Sequence, residues 1–191
     1  MGIFNIFSAF GLSASAGLNA YIPLLVVSLL AKYSGLIKLN SPWDVLTSWW
    51  VIGVLVGLSL IEFLADKIPA VNHVNDLVQT LVRPTAGAIV FAASASNLTH
   101  VNPILALIAG LFVAGGVHAV KSLAVRPLVT ATTGGAGNVP VSVAEDVTST
   151  AVSILSVLVP VIAACLLVLI TTIVVTRLIF GPKNDKSSAV K

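Results

Sequence analysis

The chain has 191 residues, 57% hydrophobic and only 9% charged, with ten Lys and Arg against seven Asp and Glu, and its mean hydropathy is +1.06. Soluble domains usually carry about 25% charged residues, so this composition excludes a water-soluble globular fold and points to a bilayer as solvent. The net charge of +3 does not signal nucleic acid, because the basic residues stand singly at the ends of apolar runs and form no patch.

A span needs roughly 20 apolar residues, and about six segments qualify. The first covers residues 10–31, with an apolar start as early as Ile3. Ser13, Ala14, Ser15, Ala16 and Gly17 mimic a signal-peptide cleavage site, but no basic region precedes them and the apolar pattern resumes at once. The tract continues through Leu18, Asn19, Ala20, Tyr21 and Ile22 to Pro23, a density of helix-breaking residues that unwinds a helix. Unwound backbone is tolerated at membrane depth only when buried in protein or lining a wet cavity, where free amides and carbonyls hold ions. Asn19 is therefore a candidate binding residue; close packing through small residues is the plainer alternative.

Segments 49–66 and 72–95 (or 77–95) form the second and third spans. Between them the chain concentrates Glu62, Asp66, Lys67, Asp76 and Arg83, although long stretches on either side carry no charge. Charges beside or inside apolar spans are costly, so such a cluster is a functional-site candidate. Glu62 and Asp66 share a helix face at a spacing of four. Asp76, Gln79 and Arg83 form a polar stripe on the next helix, and Arg83 is placed to pair with Glu62 or Asp76. The functional reading is a coupling gate in which an acid exchanges a proton, a cation and Arg83. The plain alternative is an interfacial salt bridge that fixes helix register.

The fourth span covers 103–123 and carries His118, a candidate proton relay, three residues before Lys121. Lys121 and Arg126 read as markers of its cytoplasmic end. The fifth, 128–144, is weakly apolar and holds a second broken tract with Gly134, Gly135, Gly137, Asn138 and Pro140. Its glycine density exceeds what packing needs, which makes Gly134, Gly135, Gly137 and Asn138 candidate substrate- or ion-binding residues. The sixth span, 151–178, contains Cys165, the single cysteine, which excludes an intrachain disulfide and a cysteine-based metal site.

The expected architecture is an all-α, polytopic transmembrane bundle in one domain over 1–180, with a polar tail at 181–191. Halves at 1–98 and 99–180 suggest a 3+3 inverted repeat, with broken helices in spans one and five. Ala16, Gly17 and Leu18 match Ala109, Gly110 and Leu111; Glu62 and Asp66 match Glu145 and Asp146; Pro84 matches Pro160. The Val-Arg-Pro triplets at 82–84 and 125–127 fall outside that register. With both termini cytoplasmic, the inside receives Lys67, Arg83, Lys121, Arg126, Arg177, Lys183, Lys186 and Lys191, and the outside only Lys32 and Lys38. Trp43, Trp49 and Trp50 then anchor the outer interface.

The block Glu62 to Pro69, continuing through His73, Asp76, Arg83, Pro84, Thr85, Ala86 and Gly87, together with the tract Gly11 to Tyr21, resembles a family of small, mainly bacterial integral membrane proteins, the domain of unknown function 4126. The resemblance covers most of the chain. It implies a multi-pass protein of the cell inner membrane and supplies no substrate or catalytic residue.

The chemistry expected from these residues is transport of a small solute or anion, coupled to a proton or cation. An oligomeric channel and a non-transporting, lipid-binding scaffold are the competing readings. No metal-ligand spacing, nucleophile–base pair, phosphate loop or dinucleotide fingerprint is present, so no enzyme, metal or cofactor is expected. The expected partners are the lipid bilayer, the solute or ion and a second copy of the chain, with no nucleic acid.

Overall fold

The computed structural model describes residues 2–66, 69–96, 101–159, 166, 168–174 and 176–177. Every regular element among them is helical: α1 (Gly2–Leu18), α2 (Ile22–Tyr33), a short 3-10 turn (Trp43–Thr47), α3 (Trp49–Ala65), α4 (Pro69–Ala95), α5 (Pro103–Val120), a π-helical turn (Lys121–Val125), α6 (Arg126–Thr133) and α7 (Asn138–Leu158).

Local chemistry sets the boundaries. The helix stops at Leu18 because Pro23 has no N–H to give the Asn19 carbonyl and its ring would crowd that group. Asn19 then accepts hydrogen bonds at Oδ1 from the amides of Tyr21 and Ile22, both at 3.1 Å, which satisfies two amides left free at the break ahead of α2. Ser48 accepts from Val51 N at 3.3 Å to begin α3, and Asn102 accepts from Ile104 N at 2.8 Å ahead of Pro103 at the first turn of α5. Helix α4 runs unbroken through Pro84. Pro160, its expected counterpart, lies outside the described residues.

Among the described residues, three helical stretches are long and apolar enough to cross a membrane: Leu77–Ala95, Pro103–Thr133 and Asn138–Leu158. The second is α5, the π turn and α6 in one uninterrupted run of 31 residues. This corrects two expectations. The fourth helix does not end near 123, and 128–144 is not one span with an internal break. The chain turns at 134–137, where Gly134 and Gly135 take φ of 62° and 90°, a conformation that suits glycine and ends a helix. Residues 151–158 then belong to α7, not to the start of a sixth span. Hydropathy misplaced α7 because the polar residues that lower it, Ser142, Asp146, Ser149, Ser153 and Ser156, are buried.

Helices α1, α4, α5 and α7 form the core, with α2 against α7 and α3 against α2. Close approach of α1, α4 and α5 depends on glycine. A Cβ on Gly110 would lie 2.4 Å from Gly87 O, and one on Gly17 would lie 2.5 Å from Ala114 O. Small residues let membrane helices meet at backbone distance. The outer faces are greasy: Leu60, Ile61 and Leu64 on α3 and Ile104, Leu105 and Phe112 on α5 are exposed. Trp49 and Trp50 are exposed at the start of α3, and Lys32 Nζ lies 4.4 Å from the Trp49 ring centre. Trp43 is partly buried against the core.

Candidate functional site

At the joint between α1 and α2 the apolar packing gives way to a network of buried charges. Glu62, on the last turn of α3, is 1% exposed, and Arg83, near the middle of α4, is 0% exposed. Arg83 donates to Glu62 Oε1 from Nη2 at 2.8 Å and from Nε at 3.2 Å. Glu62 Oε2 accepts from the amide of Ala20 at 3.2 Å, so the interrupted backbone is one of its partners.

Asp66 extends the network. Its Oδ1 accepts from Asn75 Nδ2 at 2.7 Å. Its Oδ2 lies 3.2 Å from Arg126 Nη2 and 3.8 Å from Arg83 Nη2, so one oxygen serves two guanidiniums. Arg126 Nη2 also donates to Ser142 Oγ at 3.2 Å and reaches Glu145 Oε2 at 3.5 Å. That same glutamate oxygen lies 2.7 Å from Lys121 Nζ, which in turn donates to the backbone carbonyl of Leu18 at 3.2 Å. Asn19 closes the circuit, donating from Nδ2 to Asp146 Oδ1 at 3.0 Å.

His118 borders this cluster. Its Nδ1 lies 3.3 Å from Arg83 Nη1 and its Nε2 lies 3.2 Å from Thr80 Oγ1. A guanidinium can only donate, so Nδ1 accepts and the ring is neutral in this arrangement. The network members among the described residues are then four carboxylates (Glu62, Asp66, Glu145, Asp146) and three cations (Arg83, Lys121, Arg126).

A hydroxyl line leads away from the network along α7. Ser15 Oγ on α1 lies 2.8 Å from Ser149 Oγ and 2.7 Å from Ser153 Oγ, and Ser8 donates to the Ser156 carbonyl at 2.6 Å. These serines and Asp146 recur at spacings of three and four, so they occupy one helix face.

Of the residues singled out in the sequence, Asn19, Glu62, Asp66, Arg83 and His118 come together here. The side chain of Asp76 lies outside the described residues, as do Lys67 and the 181–191 tail. Gly134, Gly135, Gly137 and Asn138 are placed apart, in the turn between α6 and α7. There Asn138 exchanges hydrogen bonds with Thr130 Oγ1 at 3.1 and 3.2 Å, and Gly137 N donates to Thr133 Oγ1 at 2.9 Å. Lys121 and Arg126 do not end a helix: they are 3% and 7% exposed and lie within the continuous run Pro103–Thr133. Glu145, Asp146 and the α7 serines are further members that sequence reasoning did not place in a site. The three-and-four spacing of residues 142, 146, 149, 153 and 156 is the signal that locates them.

Buried charges are expensive and are kept where paired. A set in which single oxygens serve two cations can exchange partners by small movements.

No curated protein and no solved structure matches the chain. A family model described as Domain of unknown function (DUF4126) matches residues 6–179, a stretch that contains the whole network, and the chain belongs to that family.

Proposed function

We propose that this chain is a small membrane transporter, coupled to a proton or a cation, that moves a small solute or anion, and that the buried network is its coupling centre. The observation that carries the reading is the sharing of buried carboxylate oxygens between cations. Asp66 Oδ2 faces both Arg126 and Arg83, and Glu145 Oε2 faces both Lys121 and Arg126. A proton or small cation that takes one of these oxygens makes a buried side chain change partner, which ties its uptake to movement of the helices. Glu62 is the acid best placed for exchange, because it bonds both the Ala20 amide of the broken helix and Arg83 of the neighbouring helix.

The accompanying topology is part of the proposal. The α1–α2 pair counts as one broken span, followed by α3, α4, the continuous Pro103–Thr133 helix, α7 and a sixth apolar segment in 160–178. Both termini then share the cytoplasmic side of the cell inner membrane. With the buried Arg83, Lys121 and Arg126 set aside, Lys67, Arg177, Lys183, Lys186 and Lys191 still outnumber Lys32 and Lys38. An inverted 3+3 repeat is supported by the meeting of the acids of α3 and α7 at Arg126, which reaches both Asp66 and Glu145.

A non-transporting scaffold is the competing reading, favoured by how many network groups are already bonded to one another. Reconstitution into liposomes separates the two. Coupled flux of protons or sodium with solute is expected in the wild type. Glu62→Gln, normalised to folded protein, should lower it by about tenfold or more, the equivalent of ~1.4 kcal/mol. Coupled flux unchanged in Glu62→Gln removes Glu62 from the mechanism, and a wild type that moves no solute or ion favours the scaffold.

A further inference from the structure

The break at 19–21 leaves carbonyls at the end of α1 that a continuous helix would have satisfied. Leu18 O would receive Ile22 N in an unbroken helix. Instead Ile22 N donates to Asn19 Oδ1 at 3.1 Å. Lys121 Nζ takes its place, 3.2 Å from Leu18 O and 2.7 Å from Glu145 Oε2. The ammonium therefore sits between a helix C-terminal carbonyl, the negative end of the α1 dipole, and a carboxylate oxygen that also faces Arg126 Nη2 at 3.5 Å. Its side chain is 3% exposed. Carbonyls of an unwound helix joined by a carboxylate are the oxygen ligands that small monovalent cations take in broken-helix membrane sites. Lys121 is also the first residue of the π turn, where a helix departs from α spacing and which recurs at functional positions.

We propose that the position between the Leu18 carbonyl and the Glu145 carboxylate is a binding site for one small monovalent cation, a metal ion or a proton, and that the Lys121 ammonium is its tethered occupant. Withdrawal of the lysine opens the site, and entry of the cation keeps it withdrawn. This inference deepens the coupling reading above and rests on it for its role in transport.

The test is thermal unfolding of the purified full chain in sodium, potassium or choline chloride at matched ionic strength. Lys121→Met removes the tethered charge and keeps the volume of the stem. This variant should melt higher in sodium or potassium than in choline, by roughly 3–6 °C for a cation at about ten times its Kd. Lys121→Met/Glu145→Gln should show no such difference, and the wild type a smaller one, because there the cation competes with the tethered ammonium. Rescue of Lys121→Met by lower pH in choline, without a metal effect, identifies the proton as the occupant. A Lys121→Met variant indifferent to salt and pH overturns the proposal. So does one that fails to fold in every condition while the double variant folds.

A readout on the wild type avoids any folding defect. Acylation of Lys121, followed by mass spectrometry and normalised to Lys38, should rise when the cation displaces the lysine. Equal normalised acylation in every salt and at every pH overturns the site. Should the site fail while Glu62→Gln still abolishes coupled flux, the coupling reading stands without it.

Discussion

Arg83 directs Nε and Nη2 to one oxygen of Glu62 and Nη1 to His118, with no exposure to solvent. A guanidinium does not give up its proton in a protein, so neutralising Glu62 leaves Arg83 with only the more distant Asp66, at 3.8 Å and shared with Arg126, at a cost of about 3–5 kcal/mol. Arg83→Met and Glu62→Gln are each expected to lower the unfolding free energy by about that amount in denaturant titrations, and the double variant to recover most of it. Strictly additive losses would show that the two side chains act independently. This pair is legible in the sequence because each residue interrupts a long apolar run. Lys121 and Arg126 are not legible in the same way. A basic residue at the end of an apolar run reads the same whether it meets lipid headgroups or buried carboxylates. Only the continuation of the helix to Thr133 puts both inside the run and not at its end.

The elements owe their spacing to a few positions without side chains. A Cβ on Gly110 would come within 2.4 Å of Gly87 O and 2.6 Å of Phe91 Cβ, so α5 cannot lie where it does against α4 if that position grows. Gly110→Ala is expected to destabilise by about 1–3 kcal/mol through overpacking. Gly116, on the same helix, has nothing within 4 Å of a built Cβ. There Gly116→Ala should instead stabilise by roughly 0.5–1 kcal/mol, from helix propensity alone. Paired melting curves decide the contrast, and equal signs would mean that the α4–α5 contact is looser than described. Glycine also explains why one broken tract was foreseen correctly and the other was not. At 19–21 the asparagine side chain accepts from the Tyr21 and Ile22 amides and the chain continues into α2. At 134–137 positive φ at two glycines makes a turn between helices. Composition alone does not separate the two outcomes.

For the whole molecule, the all-helical architecture of the described residues follows from composition, whereas the helix bounds after residue 103 do not: Pro103–Thr133 and Asn138–Leu158 stand where the hydropathy pattern predicts 103–123 and 128–144. The proposed topology puts the 34–48 connection outside and the 134–137 turn inside. In a Cys165→Ala background, Lys38→Cys should react with an impermeant maleimide in right-side-out cells, and Ala136→Cys only after permeabilisation. Labelling of both from one side would overturn the arrangement. The π turn at Lys121–Val125 has a consequence at this scale. It holds one residue more than an α turn needs and absorbs it within a single turn, so the helix after it continues in nearly the phase it would have without that residue. Removing one residue there, such as the exposed Leu123, should restore α spacing and leave α6 in register, with Arg126 still at Asp66 and Glu145. Removing a second residue would turn α6 by about 100° relative to α5 and swing Arg126 off both carboxylates. That doubly shortened chain would keep the α3–α4 and α5–α7 parts of the network and lose the connection between them.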